Sequence, residues 1–368
     1  MKILHCHSTF SLGGKEARAV RLMNLFGDRA EHSILSSVPD ALGAREMIAP
    51  GIRVAFPGDQ APPLHGKPSL GRYRDLTRYM RQFDLVLSYN WGSMDAVGAR
   101  RLFPSGCPPL IHHEDGFNAD EAQKLNWKRN AYRRLMLPTA KALVVPSTRL
   151  EAIAAEVWKQ PPAKLHRIPN GIDTAAYAAA PAPDALGDPV KQPGELWIGT
   201  LAGLRTVKNL PRLVRAFATL TGPARLVIVG EGPEREAILA EAARLGVADK
   251  VHLPGFRDQP HRFIGLLDIF ALSSDSEQFP ISLVEAMAAG VPAASLDVGD
   301  VRAMIDPANL PFIAPDEAGL ASGLQTLAAD PDLRARIGAA NRARAEAEFG
   351  EVAMVRRYAA LYGMESPL

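Results

Sequence analysis

Short apolar runs alternate with amphipathic segments along nearly the whole of this 368-residue chain. In the first half the apolar runs fall at 2–7, 32–38, 52–56, 84–89, 109–113 and 142–146, and helical segments fall at 14–26, 70–83, 119–137 and 148–158. The second half repeats the scheme, with apolar runs at 196–201, 225–229, 251–254, 269–273 and 291–295 and helices at 210–220, 235–245, 262–267 and 281–289. This alternation predicts an α/β architecture built on parallel sheets.

The chain length suggests two domains, at roughly 150 residues each. A stretch rich in Ala and Pro, without apolar periodicity, predicts a linker over 176–194. We therefore expect a first domain over 1–175, a second over 195–350 and a C-terminal helix within 351–368. A ligand held between two doubly wound domains would meet the carboxyl ends of the strands of both sheets.

The composition excludes several classes of function. The composition, with 47% hydrophobic and 22% charged residues, is that of an ordinary globular protein. The formal net charge of +2 gives no reason to propose nucleic acid as a partner. No run approaches the roughly 18 apolar residues of a membrane span, and the apolar start is too short for a signal peptide. The two cysteines, Cys6 and Cys107, match no metal-ligand spacing. We expect a cytoplasmic protein.

Two carboxylates, Glu277 and Glu285, are separated by seven residues after the apolar run 269–272. Pro280 and Gly290 suit the start and the end of a short helix, which puts Glu277 in the preceding loop and Glu285 about one turn inside. Backbone N–H groups at a helix start bind phosphate, and carboxylates accept from sugar hydroxyls. The segment therefore suits a nucleotide-sugar, although a buried glutamate beside a surface one would give the same spacing. The candidate residues are Glu277, Gln278, Phe279, Pro280, Ile281 and Glu285.

The E-x7-E pattern, followed by A-M-A-A-G-V-P, resembles the donor-site signature of retaining glycosyltransferases of family 4. Other motifs follow in the family's order: S-L-G-G-K-E at 11–16, P-N-G-I-D at 169–173, V-G-E-G-P at 229–233, L-P-G-F-R at 253–257 and D-V-G-D at 297–300. The resemblance implies the GT-B fold, in which two Rossmann-like doubly wound domains face each other across a cleft and a C-terminal helix crosses back to the first domain. It also implies transfer of a sugar from a nucleotide-sugar donor to a hydroxyl acceptor, with the anomeric configuration retained.

The resemblance assigns roles to individual residues. Glu277 is expected to hold the transferred sugar and Glu285 the ribose hydroxyls, while Gly230, Phe256 and Arg257 line the nucleotide base. Gly230-Glu231-Gly232 also invites a dinucleotide interpretation, which fails because Arg235 stands where the third glycine would be.

A phosphate grip is expected in 199–209, after the first strand of the second domain. Arg205 and Lys208, three residues apart, can close on a diphosphate and offset the charge on the departing nucleotide. Family members carry an arginine where this chain has Gly203, so we expect Arg205 to supply the guanidinium. Gly13 and Gly14 open the first helix, and their N–H groups could approach the same diphosphate. An exposed basic pair and an ordinary glycine turn are the alternatives.

His113, Glu114 and Asp115 follow a first-domain strand, where family members place a histidine or an acid near the reacting sugar. Which of the three takes that role stays open. Adjacent histidines on a strand point to opposite faces, so His112 and His113 would not ligate one ion. We expect no metal and no other cofactor.

The segment 124–137 is helical in pattern and strongly basic. Lys124, Lys128, Arg129 and Arg133, with interleaved aromatic residues, would suit an anionic membrane surface. That predicts a lipid-linked or membrane-proximal glycan as acceptor, in cell-surface polysaccharide synthesis, and peripheral contact with the inner face of the membrane. An ordinary domain helix with a basic solvated face is the alternative.

Two other functions remain compatible with these motifs. One is a nucleotide-sugar epimerase of the same architecture, and the other is a non-catalytic subunit that binds nucleotide-sugar. The sequence leaves open the base, the sugar, the acceptor, the linkage and the oligomeric state.

Overall fold

The computed structural model describes residues 1–67, 69–117, 121 and 125–367. The chain divides into two compact units. The first comprises Met1–Pro169 together with Met354–Leu368, and the second comprises Asn170–Ala353.

The described part of the first unit contains one sheet with the strand order β3-β2-β1-β4-β5-β6-β7, in which every pair is parallel. Its strands are β1 (Lys2–His7), β2 (Glu31–Ser36), β3 (Val54–Ala55), β4 (Leu85–Tyr89), β5 (Leu110–His113), β6 (Ala142–Val145) and β7 (Leu165–Arg167). The order reverses between β1 and β4, so the loops that follow these two strands diverge to opposite faces.

Helices cover both faces of this sheet because the strands are apolar on both sides. They are α1 (Gly14–Phe26), α2 (Leu70–Met80), α3 (Met94–Leu102), α4 (Trp127–Met136) and α5 (Thr148–Glu156). The helix at the end of the chain, α12 (Glu351–Tyr362), completes one side. From Met354 onward it belongs to the first unit, where Val355 and Tyr358 are fully buried in a cluster with Ile3 and Leu87.

The second unit repeats the plan with the strand order β10-β9-β8-β11-β12-β13, again parallel throughout its described residues. The strands are β8 (Leu196–Leu201), β9 (Ala224–Val229), β10 (Val251–Gly255), β11 (Ile269–Leu272), β12 (Ala293–Leu296) and β13 (Ile313–Ala314). The helices are α6 (Leu210–Ala218), α7 (Arg235–Arg244), α8 (Ile281–Ala288), α9 (Val301–Met304), α10 (Glu317–Ala329) and α11 (Pro331–Glu348). Here the order reverses between β8 and β11.

The segment 176–194, expected as a linker, instead packs on the second unit. Tyr177 and Leu186 are buried in its core, and Lys191 is bonded to Asp268 at 2.8 Å. The unit already begins at Asn170. The sequence gives no sign that Tyr177 and Leu186 are buried, because two apolar side chains nine residues apart produce no periodic signal.

Candidate functional site

The carboxyl ends of β8 and β11 carry the residues on which the candidate site depends. Because the strand order of the second sheet reverses between these neighbours, a crevice opens outside their carboxyl ends. The loop 202–209 follows β8 and contains Lys208, and the loop 273–280 follows β11 and contains Glu277. The fold therefore brings together two charges that lie far apart in the sequence.

Lys208 and Glu277 form an ion pair across this reversal point. Nζ of Lys208 donates to Oε1 of Glu277 at 2.5 Å, and the hydroxyl of Ser274 donates to the same oxygen at 2.6 Å. Both charged side chains are largely buried, with 19% and 10% of their surface exposed. Within the described residues no group donates to Oε2 of Glu277. One carboxylate oxygen is thus fixed, and the other can accept from a ligand hydroxyl.

The two loops are also joined through their backbones. The N–H of Asp275 donates to the carbonyl of Val207 at 2.8 Å, and the hydroxyl of Ser273 donates to the carbonyl of Lys208 at 3.1 Å. Arg212, on α6, pairs with Asp275 at 2.7 Å. These bonds hold the lysine and the glutamate on a common scaffold rather than on independent loops.

Arg205 is exposed, and its backbone carbonyl accepts from the N–H of Lys208 at 2.8 Å. Its Nε lies 3.3 Å from the point where a Cβ on Gly203 would sit. The guanidinium therefore occupies the space beside Gly203, where family members carry their arginine. Within the described chain it makes no ion pair, which leaves its charge available to an anion.

The helix α8 begins at Ile281, where the sequence predicts its start. Pro280 is its extended N-cap residue, and no side chain caps the helix start. Gly290 ends the helix with a φ of +74°, a conformation that favours glycine. Glu285 is the fifth residue of α8, and its Oε1 accepts from the hydroxyl of Tyr177 at 3.2 Å.

The turn at Gly299 packs closely against the loop that precedes α8. A Cβ on Gly299, whose φ is +57°, would lie only 2.6 Å from the carbonyl oxygen of Glu277. The N–H of Asp300 donates to the carbonyl of Gln278 at 3.1 Å. Oε1 of Gln278 is buried and has no hydrogen-bond partner in the described residues. A buried acceptor of this kind needs a donor from water or from a ligand.

Gly230 and the 253–257 segment lie next to the loop after β8. A Cβ on Gly230 would lie 2.0 Å from the carbonyl oxygen of Ala202, so protein packing alone requires the glycine. Its N–H donates to the carbonyl of Gly255 at 3.0 Å. Phe256 is 54% exposed and Arg257 donates to its carbonyl at 3.1 Å, so both residues are accessible beside the site.

Gly13 and Gly14 stand at the start of α1, after the carboxyl end of β1. Gly13 is an extended N-cap residue, and no side-chain oxygen caps the helix there. Oε2 of Glu16 lies 2.9 Å from the position of a Cβ on Gly13, and Glu16 is paired with Lys15. Burial raises the pKa of the Glu16 carboxyl, an effect that the charge of Lys15 opposes. A carboxylate of the protein itself thus stands near these amides, and their contact with a diphosphate stays a prediction.

His113 and Glu114 do not lie at an accessible edge of the first unit. His113 is 1% exposed, and its ring nitrogens bond the hydroxyl of Tyr362 at 3.0 Å and the carbonyl of Ser88 at 3.3 Å. Burial holds its pKa well below the usual value. Glu114 is fully buried against Arg133 at 3.1 Å. This corrects the expectation that either one is a candidate to meet the reacting sugar, since both are engaged in the interior.

Asp115 is the one residue of the three that reaches the carboxyl edge. Its carboxylate is 13% exposed and is held by both terminal nitrogens of Arg18, at 2.9 Å for Nη2 and Oδ2. Its N–H donates to Oδ1 of Asn90, which follows β4, at 2.7 Å. Arg18 lies on α1, so three elements at the edge are tied together. Arg18 and Asn90 carry no motif that the sequence analysis could have used.

Arg133 is fully buried, which corrects its assignment to a membrane-facing surface. Its guanidinium bonds Glu114 and, at 3.3 Å, Glu121, and lies 4.9 Å from the ring centre of Trp158. Arg129 likewise pairs with Glu121 at 2.9 Å. Removing one partner of such a buried pair typically costs about 3–5 kcal/mol. These two arginines hold the fold of the first unit together.

Two family models match the chain, one over each unit. "Glycosyltransferase Family 4" matches residues 12–176, and "Glycosyl transferases group 1" matches residues 187–344. The chain belongs to glycosyltransferase family 4. This confirms the family predicted from the E-x7-E segment and the accompanying motifs.

Two curated relatives illustrate the similarity of this family 4 member. N-acetyl-alpha-D-glucosaminyl L-malate synthase of Bacillus anthracis is 30% identical over 166 residues, which are 44% of either chain. Lipopolysaccharide core biosynthesis glycosyltransferase LpsD of Rhizobium meliloti is 29% identical over 188 residues, 50% of this chain and 54% of the relative. The matched segments thus span about half the length of these relatives.

A solved structure shows the same fold over the whole chain. Alr3699/HepE of Anabaena in complex with UDP has a TM-score of 0.77 at 19% identity, covering 99% of this chain and 100% of that one. A second structure of that protein, with UDP-glucose, has a TM-score of 0.76. The predicted GT-B fold with two Rossmann-like domains is confirmed.

The exposed face of α4 retains part of the basic character expected of it. Lys128 and Arg134 are exposed there, beside Trp127 at 73% and Leu135 at 58% exposure. Lys124 lies outside the described residues. No helix in the described chain is both long enough and apolar enough to span a bilayer.

A cavity of about 1060 Å³ lies at the opposite edge of the second sheet. It is lined by the amino ends of β8 and β9 and by the pair Lys191 and Asp268. In doubly wound folds substrates bind at the carboxyl edge, so Lys208 and Glu277 stay the candidate site and this cavity does not replace it.

Proposed function

We propose that this family 4 protein transfers a sugar from a nucleotide-sugar to a hydroxyl acceptor, with retention and without a divalent metal. The observation that carries the proposal is the bonded pair of Lys208 and Glu277 at the reversal point of the second sheet, beside the uncapped start of α8. A cation, helix amides and a carboxylate with one open oxygen match a ligand that joins phosphate to sugar.

The proposed reaction breaks the bond between the anomeric carbon and the leaving phosphate oxygen, while the acceptor oxygen bonds to that carbon. The acceptor's proton passes to the departing diphosphate on the same face, so no enzymic nucleophile takes part. Lys208 and Arg205 offset the charge that develops on the diphosphate, and the amides of α8 add to this effect. Glu277 accepts from a hydroxyl of the transferred sugar and Glu285 from the ribose, which fixes the reacting atoms in position.

Uridine nucleotides are the donors to test first. HepE, which shares the fold, is described in complex with UDP and with UDP-glucose. The base would lie against Gly230, Phe256 and Arg257, of which Phe256 offers an exposed ring.

The acceptor proposed is a glycan or lipid-linked intermediate of cell-surface polysaccharide synthesis. The similarity to a lipopolysaccharide core glycosyltransferase supports this substrate class. Asp115 is the first-unit residue that we assign to the acceptor reaction, in place of His113 and Glu114. The exposed face of α4 would place the protein on the inner face of the membrane, because an exposed tryptophan beside cations suits an anionic bilayer surface.

The test begins with a panel of UDP-, GDP- and ADP-sugars, screened by thermal stabilisation. A ligand at 100 times its dissociation constant adds about 2.7 kcal/mol of stability. The stabilising donor is then incubated with glycan acceptors, and the anomeric configuration of the product is determined by NMR. Failure of every donor to stabilise the protein, or an inverted product, overturns the proposal. Isomerised sugar from donor and protein alone would identify an epimerase instead.

A further inference from the structure

We infer that Tyr177 is a positioning residue of the donor site, acting through Glu285, and that the ribose hydroxyls are the ligand groups that it serves. This inference rests on the proposed role of Glu285. Tyr177 lies in the segment that the sequence marks as a linker, and neither E-x7-E nor the phosphate grip includes it. In the structure its hydroxyl donates to Oε1 of Glu285 at 3.2 Å.

The tyrosine is held rigidly enough to act as a support. Its side chain is only 7% exposed, and its ring packs edge-on against His261, with 6.0 Å between the ring centres. The residue closes a short 3-10 turn, Thr174–Tyr177. Just before this turn, the N–H of Ile172 donates to the carbonyl of Phe349 at 2.9 Å, and its carbonyl accepts from Glu351 at 2.9 Å.

Glu285 is the kind of side chain that benefits from such a support. It lies on α8 with intermediate exposure, so its carboxylate reaches the surface of the unit. A glutamate has three side-chain torsions, and fixing them at the moment of binding reduces affinity. A carboxylate offers about four acceptor positions. The bond from Tyr177 to one oxygen restrains the plane of the group, which sets the direction in which the carboxylate can accept from vicinal hydroxyls.

The consequence concerns selectivity as well as affinity. A buried or half-buried acceptor that loses its ligand hydroxyl is left unpaired, so a site of this design discriminates against deoxyribose. A correctly oriented carboxylate discriminates more strongly than a mobile one. Tyr177 should therefore affect the preference for ribonucleotide over deoxyribonucleotide and leave recognition of the phosphates unchanged.

The experiment compares nucleotides by calorimetry. UDP, GDP and ADP are titrated into the full chain, and the tightest binder is then compared with its 2′-deoxy and 3′-deoxy forms. Tyr177→Phe keeps the ring on His261 and removes only the hydroxyl. We expect this variant to bind the ribonucleotide about tenfold more weakly and to lose most of the ribose preference. Thermal unfolding of the variant reports whether the fold is retained.

Tyr73→Phe is the matched control. It also removes a tyrosine hydroxyl that donates to a carboxylate, that of Asp95 at 3.1 Å, but in the first unit. This control should leave the affinity and the ribose preference unchanged.

The outcomes separate the inference from the function on which it rests. If Glu285→Ala abolishes the ribose preference while Tyr177→Phe retains it, the role of Tyr177 is overturned and that of Glu285 stands. If Glu285→Ala retains the preference, or no nucleotide binds, the proposed donor site is overturned together with the inference. An equal loss for ribo and deoxy forms in Tyr177→Phe also overturns it, since that is the result of a merely structural role.

Discussion

The ammonium of Lys208 donates to Oε1 of Glu277 at 2.5 Å, although the two residues lie 69 positions apart in the sequence. Lys208 is assigned to the diphosphate of the donor and Glu277 to its sugar. The two residues that would bind these two parts of the donor are therefore bonded to each other. Groups bonded to each other do not contribute independently to binding or catalysis.

We expect Lys208→Ala and Glu277→Ala to be non-additive. In a double-mutant cycle on the dissociation constant of the nucleotide-sugar, measured by calorimetry, the coupling energy should fall within about 0.5–3 kcal/mol, the range for residues in direct contact. Lys191→Ala combined with Glu277→Ala is the control, because Lys191 pairs with Asp268 at the opposite edge of the same sheet. Additive effects of the Lys208 and Glu277 changes would show that the ion pair has no functional role.

The two glutamates should differ in what their loss removes. Glu285→Ala should weaken both free nucleotide and nucleotide-sugar, by about 1.5–3 kcal/mol for a charge-assisted hydrogen bond. Glu277→Ala should spare free nucleotide, because its open oxygen is assigned to the sugar, and should abolish turnover. Calorimetry with nucleoside diphosphate and with the intact donor distinguishes the two. Equal effects on free nucleotide would contradict the assignment.

Activity should survive chelation. Excess EDTA should change the rate little if Lys208 and Arg205 carry the countercharge for the diphosphate. Lys208→Ala should lower kcat by about 10²-fold or more, the scale of a lost oxyanion donor. Lys191→Ala, which loses a comparable pair at 2.8 Å, should not. Turnover that EDTA abolishes and magnesium or manganese restores would refute the metal-free mechanism.

The buried histidines of the first unit should make it sensitive to acid. Burial lowers the pKa of His32 to about 4 and the pKa of His7 well below its usual value. Below a pH of about 6.5 the unfolded chain binds protons that the folded chain does not, so the free energy of unfolding falls as the pH decreases toward 4. Each such histidine contributes up to about 1.4 kcal/mol per pH unit in this window.

His7 allows a direct test of this sensitivity. Neither of its ring nitrogens has a hydrogen-bond partner in the described residues, and its ring stacks on Tyr89 with 4.1 Å between centres. His7→Phe should keep the stacking and reduce the pH slope of stability, measured by urea unfolding between pH 4.5 and 7. The exposed His65→Gln is the control. An unchanged slope in His7→Phe would rule out this origin of acid sensitivity.

The outer face of α4 should bind anionic vesicles at low salt. Each cation near such a surface contributes about 1 kcal/mol, and salt screens it. Lys128→Glu with Arg134→Glu should abolish co-sedimentation, and Trp127→Ser should weaken it. Arg29→Glu with Arg101→Glu, also exposed on the first unit, should have little effect. If the wild-type protein does not bind the vesicles at low salt, a soluble acceptor becomes the better proposal.

Secondary structure is predicted well from the sequence where apolar residues recur at a regular period or where the helix-terminating residues lie close together. The strand β1, the helix α1 and the short helix between Pro280 and Gly290 depend on neighbouring residues, and the structure has all three. The helix expected over 262–267 is instead two 3-10 turns, Pro260–Arg262 and Ile264–Leu266. Gly265 lies within the second turn, and a Cβ there would sit 2.9 Å from Cδ of Pro181 in the expected linker.

Side-chain partners distant in sequence are what the sequence analysis missed. The helical pattern of 124–137 gives no sign that Arg133 is buried, because its partners Glu114 and Glu121 lie 19 and 12 positions away and outside that segment. The same holds for Tyr177, whose partner Glu285 is 108 residues away. Contacts of this kind are set by tertiary packing and not by local propensity.

The placement of α12 determines the order in which the protein can be completed on the ribosome. The core of the first unit includes Met354, Tyr358 and Tyr362, which are translated after the whole of the second unit. At about 5–20 residues per second, the chain from Pro169 to Met354 takes roughly 10–40 s to synthesise. During that interval Ile3, Phe26 and Leu87 lack the members of their cluster that α12 supplies, and apolar surface of the amino-terminal half stays uncovered. The second unit can therefore close first, and the first unit gains this part of its core only when α12 emerges.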